Sequence, residues 1–145
     1  MGKEREVEQC EGWVQGNECM LWTRGLANCI GLGLYFPHLK IGWLIHTPMV
    51  EHEALEAMLT TAQTYGTRKQ LQAIVTGGSY DPKLQDQTID QATKKSRSYL
   101  GKILKKKLPQ KATHIDWGTD DGLTTLYLDL ITGTYKIEHT NYAEE

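Results

Sequence analysis

The chain has 145 residues, a hydrophobic fraction of 39%, a charged fraction of 23% and a formal net charge of −2. That is long enough for one domain with a real core, and the charge balance leaves no basic footprint for nucleic acid. No apolar run approaches the ~20 residues of a membrane-spanning helix, and the charged start Met1 to Glu8 lacks the apolar centre of a signal peptide, so a soluble, cytoplasmic protein is expected.

Residues 1–12 read as a polar, flexible lead-in to a single domain over 1–145. A strand is expected over Cys19 to Trp22, followed by a loop from Thr23 to Asn28. Ile30 to Tyr35 alternates apolar residues with glycines, which predicts a strand packed closely by something on its glycine face. Ile41 to Ile45 is the next strand. The short Pro37 to Lys40 link makes the two an antiparallel hairpin. Thr47 is read as an N-cap and Pro48 as the first residue of a helix. Its stripe is Val50, Ala54, Leu55, Met58, Leu59, Ala62 and Tyr65, and its C-cap is Gly66.

Leu71 to Val75 is a short buried strand that stops at Gly77-Gly78-Ser79. Pro82 to Asp86 reads as loop. Thr88 to Gln91 is a capping box opening a second helix, with Ile89, Ala92, Tyr99, Leu100, Ile103 and Leu104 on its inner face. Lys105 to Lys107 sit where the helix dipole favours cations, and Pro109 ends the helix. His114 to Asp116 follows, then a hairpin of Leu123 to Asp129 and Thr134 to Glu138. The fold class is therefore mixed α/β (α+β), with hairpins at both ends and two main helices between.

Three cysteines (Cys10, Cys19, Cys29) without a Cys-x-x-Cys, and five scattered histidines, predict neither a disulfide scaffold nor a metal site. No cofactor motif is present: Gly31-Leu32-Gly33 lies within a strand with no helix after it. The chemistry centres on Cys29. It enters one strand while His46 leaves the next, so antiparallel pairing brings both to the same edge of a sheet. The ordinary reading of a lone cysteine beside an apolar strand is a small core residue. A thiol beside an imidazole, with the Thr23 hydroxyl to orient that imidazole, is instead the make-up of a Cys/His nucleophilic pair. The Cys29 backbone N–H is a candidate oxyanion donor. The four tryptophans read mainly as core, with Trp22 and Trp117 as candidates for the cleft wall.

The order and spacing Thr23, Cys29 six positions on and His46 a further seventeen on resemble the chemoreceptor glutamine deamidase family (CheD). So do Gly31 to Tyr35, Gly42, Tyr65-Gly66, Val75 to Ser79 and the Asp129-x-x-Thr132-Gly133 hairpin, so the resemblance runs from about Leu21 to Ile137. It implies a layered α/β/β sandwich and an enzyme that deamidates glutamine side chains in proteins without a cofactor or metal. Cys29 would be the nucleophile, His46 the general base and acid, and Thr23 the group that orients His46. Asn28, Gly77 and Gly78 would line the oxyanion or substrate site. The implied partners are a chemoreceptor-like protein substrate and a CheC-type phosphatase, with no nucleic acid and no membrane insertion. The chain departs from the family pattern at Ala27-Asn28, at Thr47-Pro48 and at Trp117-Gly118, and it has Leu123 where the family has arginine. A binding or regulatory module with little activity, or a cysteine amidohydrolase on a different amide, are the other readings.

Overall fold

The computed structural model describes residues 3–80, 87–109, 111–118 and 122–141, and the side chains of residues 87–90 stand outside that description. Among the described residues nine strands and two helices run in the order β1 (Glu4–Glu6), β2 (Val14–Asn17), β3 (Met20–Leu26), β4 (Ile30–Phe36), β5 (Ile41–Thr47), α1 (His52–Gln63), β6 (Gln72–Gly77), α2 (Gln87–Lys107), β7 (Thr113–Trp117), β8 (Gly122–Asp129) and β9 (Thr134–Asn141). A single 3-10 turn, Arg68–Gln70, precedes β6. The strands form two mixed sheets, β1-β3-β8-β9 and β2-β5-β4-β6-β7. With the helices outside the larger sheet, the molecule is the expected mixed α+β layered sandwich.

The glycine pattern of β4 explains the layering. Ile30, Leu32, Leu34 and Phe36 point outward and pack with Leu55, Met58 and Leu59 of α1 and with Leu100 and Leu104 of α2. Gly31, Gly33 and Tyr35 face the other sheet. A Cβ on Gly31 would meet Leu26 at 2.9 Å and Leu126 at 3.4 Å, and one on Gly33 would meet Leu128 at 3.4 Å. Side chains are omitted there because the second sheet comes close. The core between the sheets is Val7, Leu21, Leu26, Leu44, Ile74, Leu126, Leu128 and Leu130.

The β4–β5 hairpin has the expected pairing, with Gly31 opposite His46 and Ile30 opposite Thr47. The closing hairpin β8–β9 also pairs as expected. Its turn is held by Asp129, whose carboxylate accepts from the Ile131 and Thr132 N–H groups at 2.9 and 3.2 Å, and by Gly133 at φ 75°.

Several local expectations are corrected. The lead-in carries structure: β1 pairs in parallel with Met20 to Trp22, Val7 is fully buried, and β2 pairs with β5. Thr23 lies on a strand, because β3 continues past Trp22 along β8 and is interrupted only between Thr23 and Leu26, where Gly25 takes φ 74°. Thr47 does not cap α1. It is still paired with Ile30, so the chain needs residues 48–51 to leave the sheet, and Glu51 takes the cap position without a side-chain bond. Gly66 is not a left-handed helix stop. It lies beyond the Thr64 cap, where a Cβ would come within 3.0 Å of the Phe36 ring. Helix α2 already includes Gln87, so Thr88 lies inside it, and the inner face contains the polar Thr93 and Ser96. His114 to Asp116 belongs to a fifth strand of the larger sheet, parallel to β6. The Pro82 to Asp86 loop lies outside the described residues.

Candidate active site

The site forms where β4 begins and β5, β6 and β7 end. His46 and Gly31 are directly opposite, so their side-chain positions share the inner face. Because Gly31 has no side chain, room remains for the imidazole and for Thr23, whose methyl would lie 3.6 Å from a Gly31 Cβ. Thr23 comes from the other sheet and is fully buried, while His46 is 7% exposed.

Thr23 Oγ1 lies 2.7 Å from His46 Nδ1 and 2.7 Å from the Val7 carbonyl oxygen. A carbonyl only accepts, so the single hydroxyl proton of Thr23 goes to Val7. The hydroxyl must then accept from His46, which puts the ring proton on Nδ1 and leaves Nε2 as the free base. A threonine and one backbone carbonyl thereby fix the tautomer. Burial lowers the His46 pKa from its usual value, with the nearby Glu6 carboxylate opposing that shift in part, so the ring favours the neutral, basic form.

Cys29 immediately precedes β4 and packs half-buried at the margin of the inter-sheet core. One residue, Ile30, separates it from Gly31, which pairs with His46, so the thiol enters the hairpin at the end where the imidazole leaves it. Among the described residues no hydrogen bond joins the thiol to the imidazole, and burial pushes the Cys29 thiol up from its usual pKa. The resting pair is a neutral thiol and a neutral imidazole.

The turn after β6 holds the cysteine loop. The Gly78 N–H donates to the Cys29 carbonyl at 2.8 Å. The N–H and hydroxyl of Ser79 donate to the Ala27 carbonyl at 2.8 and 2.9 Å. Gly77 and Gly78 adopt φ 79° and 57°, a region open to glycine at little cost. A Cβ on Gly77 would lie 2.4 Å from the Cys29 carbonyl oxygen. These glycines therefore position Cys29, and the Gly78 N–H is already used and is not an oxyanion donor. The Cys29 N–H makes no hydrogen bond among the described residues and is the donor nearest the thiol. Asn28 is half-buried in the same loop.

Two features carry no clear signal in the sequence. One is a cavity of about 440 Å³ that opens onto His46 between Glu6 to Gln9, Arg24-Gly25 and the β8–β9 residues Leu123, Thr125 and Thr140; Cys29 does not line it. The other is a stack beside the glycine turn. The Trp117 ring lies against Gly78, 3.0 Å from where its Cβ would be. The Arg97 guanidinium sits 4.7 Å from the Trp117 ring centre and 4.9 Å from that of Tyr80. Trp117 thus packs on the turn that follows β6. Trp22 stacks on Tyr127 of the smaller sheet instead.

No group of three or more His, Cys, Asp or Glu among the described residues is arranged to hold a metal ion, and no described helix is long and apolar enough to cross a membrane. No known protein family and no curated protein sequence matches the chain.

Proposed function

We propose that this protein is a cysteine-dependent amidohydrolase that converts glutamine side chains of a protein to glutamate. The observation that carries the reading is the Val7–Thr23–His46 chain of hydrogen bonds, which leaves His46 Nε2 as a base at the hairpin end where Cys29 enters. The CheD-like spacing of Thr23, Cys29 and His46 supports the choice of glutamine as substrate.

In the proposed reaction His46 Nε2 takes the thiol proton as sulfur attacks the amide carbon. The Cys29 N–H steadies the oxyanion. The imidazolium then protonates the amide nitrogen, ammonia departs and a thioester remains. Water, deprotonated by His46, attacks the thioester, and the thiol leaves with its proton restored. The net change is glutamine plus water giving glutamate plus ammonia. Because burial disfavours the free thiolate, proton transfer accompanies attack rather than preceding it.

The test is ammonia release from glutamine-containing peptides, with mass spectrometry for the one-dalton gain. Cys29→Ala and His46→Ala are each expected to lower the rate by roughly 10³-fold or more. Undiminished ammonia release by Cys29→Ala would sink the reading. A binding module with little activity is the second reading. It is favoured by the raised thiol pKa and by the lack of a resting thiol–imidazole bond, and it predicts peptide binding without ammonia.

A further inference from the structure

The wall beside Cys29 contains a cation in an uncommon setting. Arg97 projects from α2 into the gap between Tyr80, three residues after Gly77, and Trp117, the last residue of β7. Both rings contact the guanidinium from distances typical of cation–π packing. Its Nε is buried without a hydrogen-bond partner. Among the described residues no carboxylate forms an ion pair with it. The side chain is only half-buried, so its charge remains open to solvent on one side. Lys94, one turn earlier, lies 5.2 Å from the same Tyr80 ring. Seven of the 16 lysines and arginines of this net-acidic chain lie on α2, against one acidic residue. Trp117 touches Gly78, and Gly78 donates to the Cys29 carbonyl, so the guanidinium stands three contacts from Cys29.

A guanidinium 4.9 and 4.7 Å from two ring centres on two separate elements is restricted in its swing, and its N–H edge matches a carboxylate in two-point geometry. We infer that Arg97, gripped by Tyr80 and Trp117 and assisted by Lys94, is a carboxylate subsite that selects glutamines flanked by an acidic residue. This deepens the deamidase reading and rests on it for the identity of the central residue. Arg97 here is a specificity residue and takes no part in the chemistry.

The probes are two blocked pentapeptides centred on glutamine, one with glutamate on both sides and one with alanine on both sides. Their affinities are measured on full-length Cys29→Ala protein by calorimetry, at low and high salt. The acidic peptide is expected to bind about tenfold more tightly, with the gap narrowing in salt. Adding Arg97→Gln brings the ratio close to one. Arg97→Lys, which keeps the charge and loses the planar two-point fork, gives an intermediate ratio; circular dichroism checks that both variants fold. Equal affinities in the parent, no binding of either peptide, or a preference that survives Arg97→Gln would each overturn the subsite. Turnover of the same peptides by the unsubstituted protein separates the two ideas. Acidic preference in binding with no ammonia leaves the subsite standing and removes the deamidase reading. Ammonia without preference does the reverse.

Discussion

At the scale of single residues, Thr23 matters most. It has one proton and two partners, and the partner that cannot donate decides where the proton goes. Thr23→Val keeps the shape and removes both bonds. It strands a buried ring N–H and a backbone carbonyl, and is expected to cost about 1–3 kcal/mol of stability by urea unfolding. Freed to rotate, His46 is expected to lose on the order of 10²-fold in ammonia release, and Thr23→Ser is expected to restore most of both. His46 and Cys29 also set a pH window. The folded pKa of His46 lies below its usual 6.5, so the unfolded chain binds the proton first as pH falls. Its contribution to stability is therefore present above about pH 6.5 and lost as pH drops through the folded value. The folded pKa of Cys29 lies above its usual 9.0, so its contribution is present below that and lost as pH rises through the folded value. Thermal melts across pH are expected to plateau between these limits, and His46→Asn is expected to soften the acid limb only.

At the scale of elements, the β4–β5 hairpin was the most legible part of the chain. Its alternating glycines and short link predict both the pairing and the shared edge of Cys29 and His46. Strand β1 was not legible, since Glu-Arg-Glu has no apolar period and is held by backbone pairing to Met20 to Trp22. Strand β7 is half-exposed at a sheet edge and also lacks the expected alternation. The inner face of α2 was read from apolar residues alone, so Thr93 and Ser96 were passed over. Arg97 was missed because the rings that hold it come from elements far apart in sequence. The spacing of Thr23, Cys29 and His46 was visible, but the Val7 carbonyl that fixes the tautomer belongs to a main-chain atom and leaves no mark in a pattern of residue types. The turn after β6 gives a test at this scale. Gly77→Ala must hold a left-handed backbone, at about 1–2 kcal/mol, and push the Cys29 carbonyl away from a 2.4 Å approach. Lower melting temperature together with slower ammonia release is expected; unchanged ammonia release would show that the turn does not position the thiol.

At the scale of the whole molecule, the two cores have different relations to the site. The outer core joins the helices to the larger sheet, and the inner core joins the sheets where Thr23 meets His46. Leu59→Ala in the outer core and Leu126→Ala in the inner core are each expected to cost about 2–5 kcal/mol in urea unfolding. Below the onset of unfolding, only Leu126→Ala is expected to slow ammonia release, because Leu126 pairs with Thr23 and packs toward Gly31. Equal effects of both variants on the rate would mean that the sheets do not act separately.

The pairing of β3 with β8 also has a temporal side. Thr23 is opposite Leu126, about a hundred positions later, whereas Cys29 and His46 belong to one local hairpin. On a ribosome the thiol and the imidazole emerge together, but the strand that carries the Thr23 hydroxyl has no neighbour on its β8 side until the β8–β9 hairpin has been made. Nascent chains that end short of β8 would carry Thr23, Cys29 and His46 without the strand that pairs beside Thr23. The long-range register thus makes completion of the smaller sheet, and with it the seat of Thr23, wait for β8.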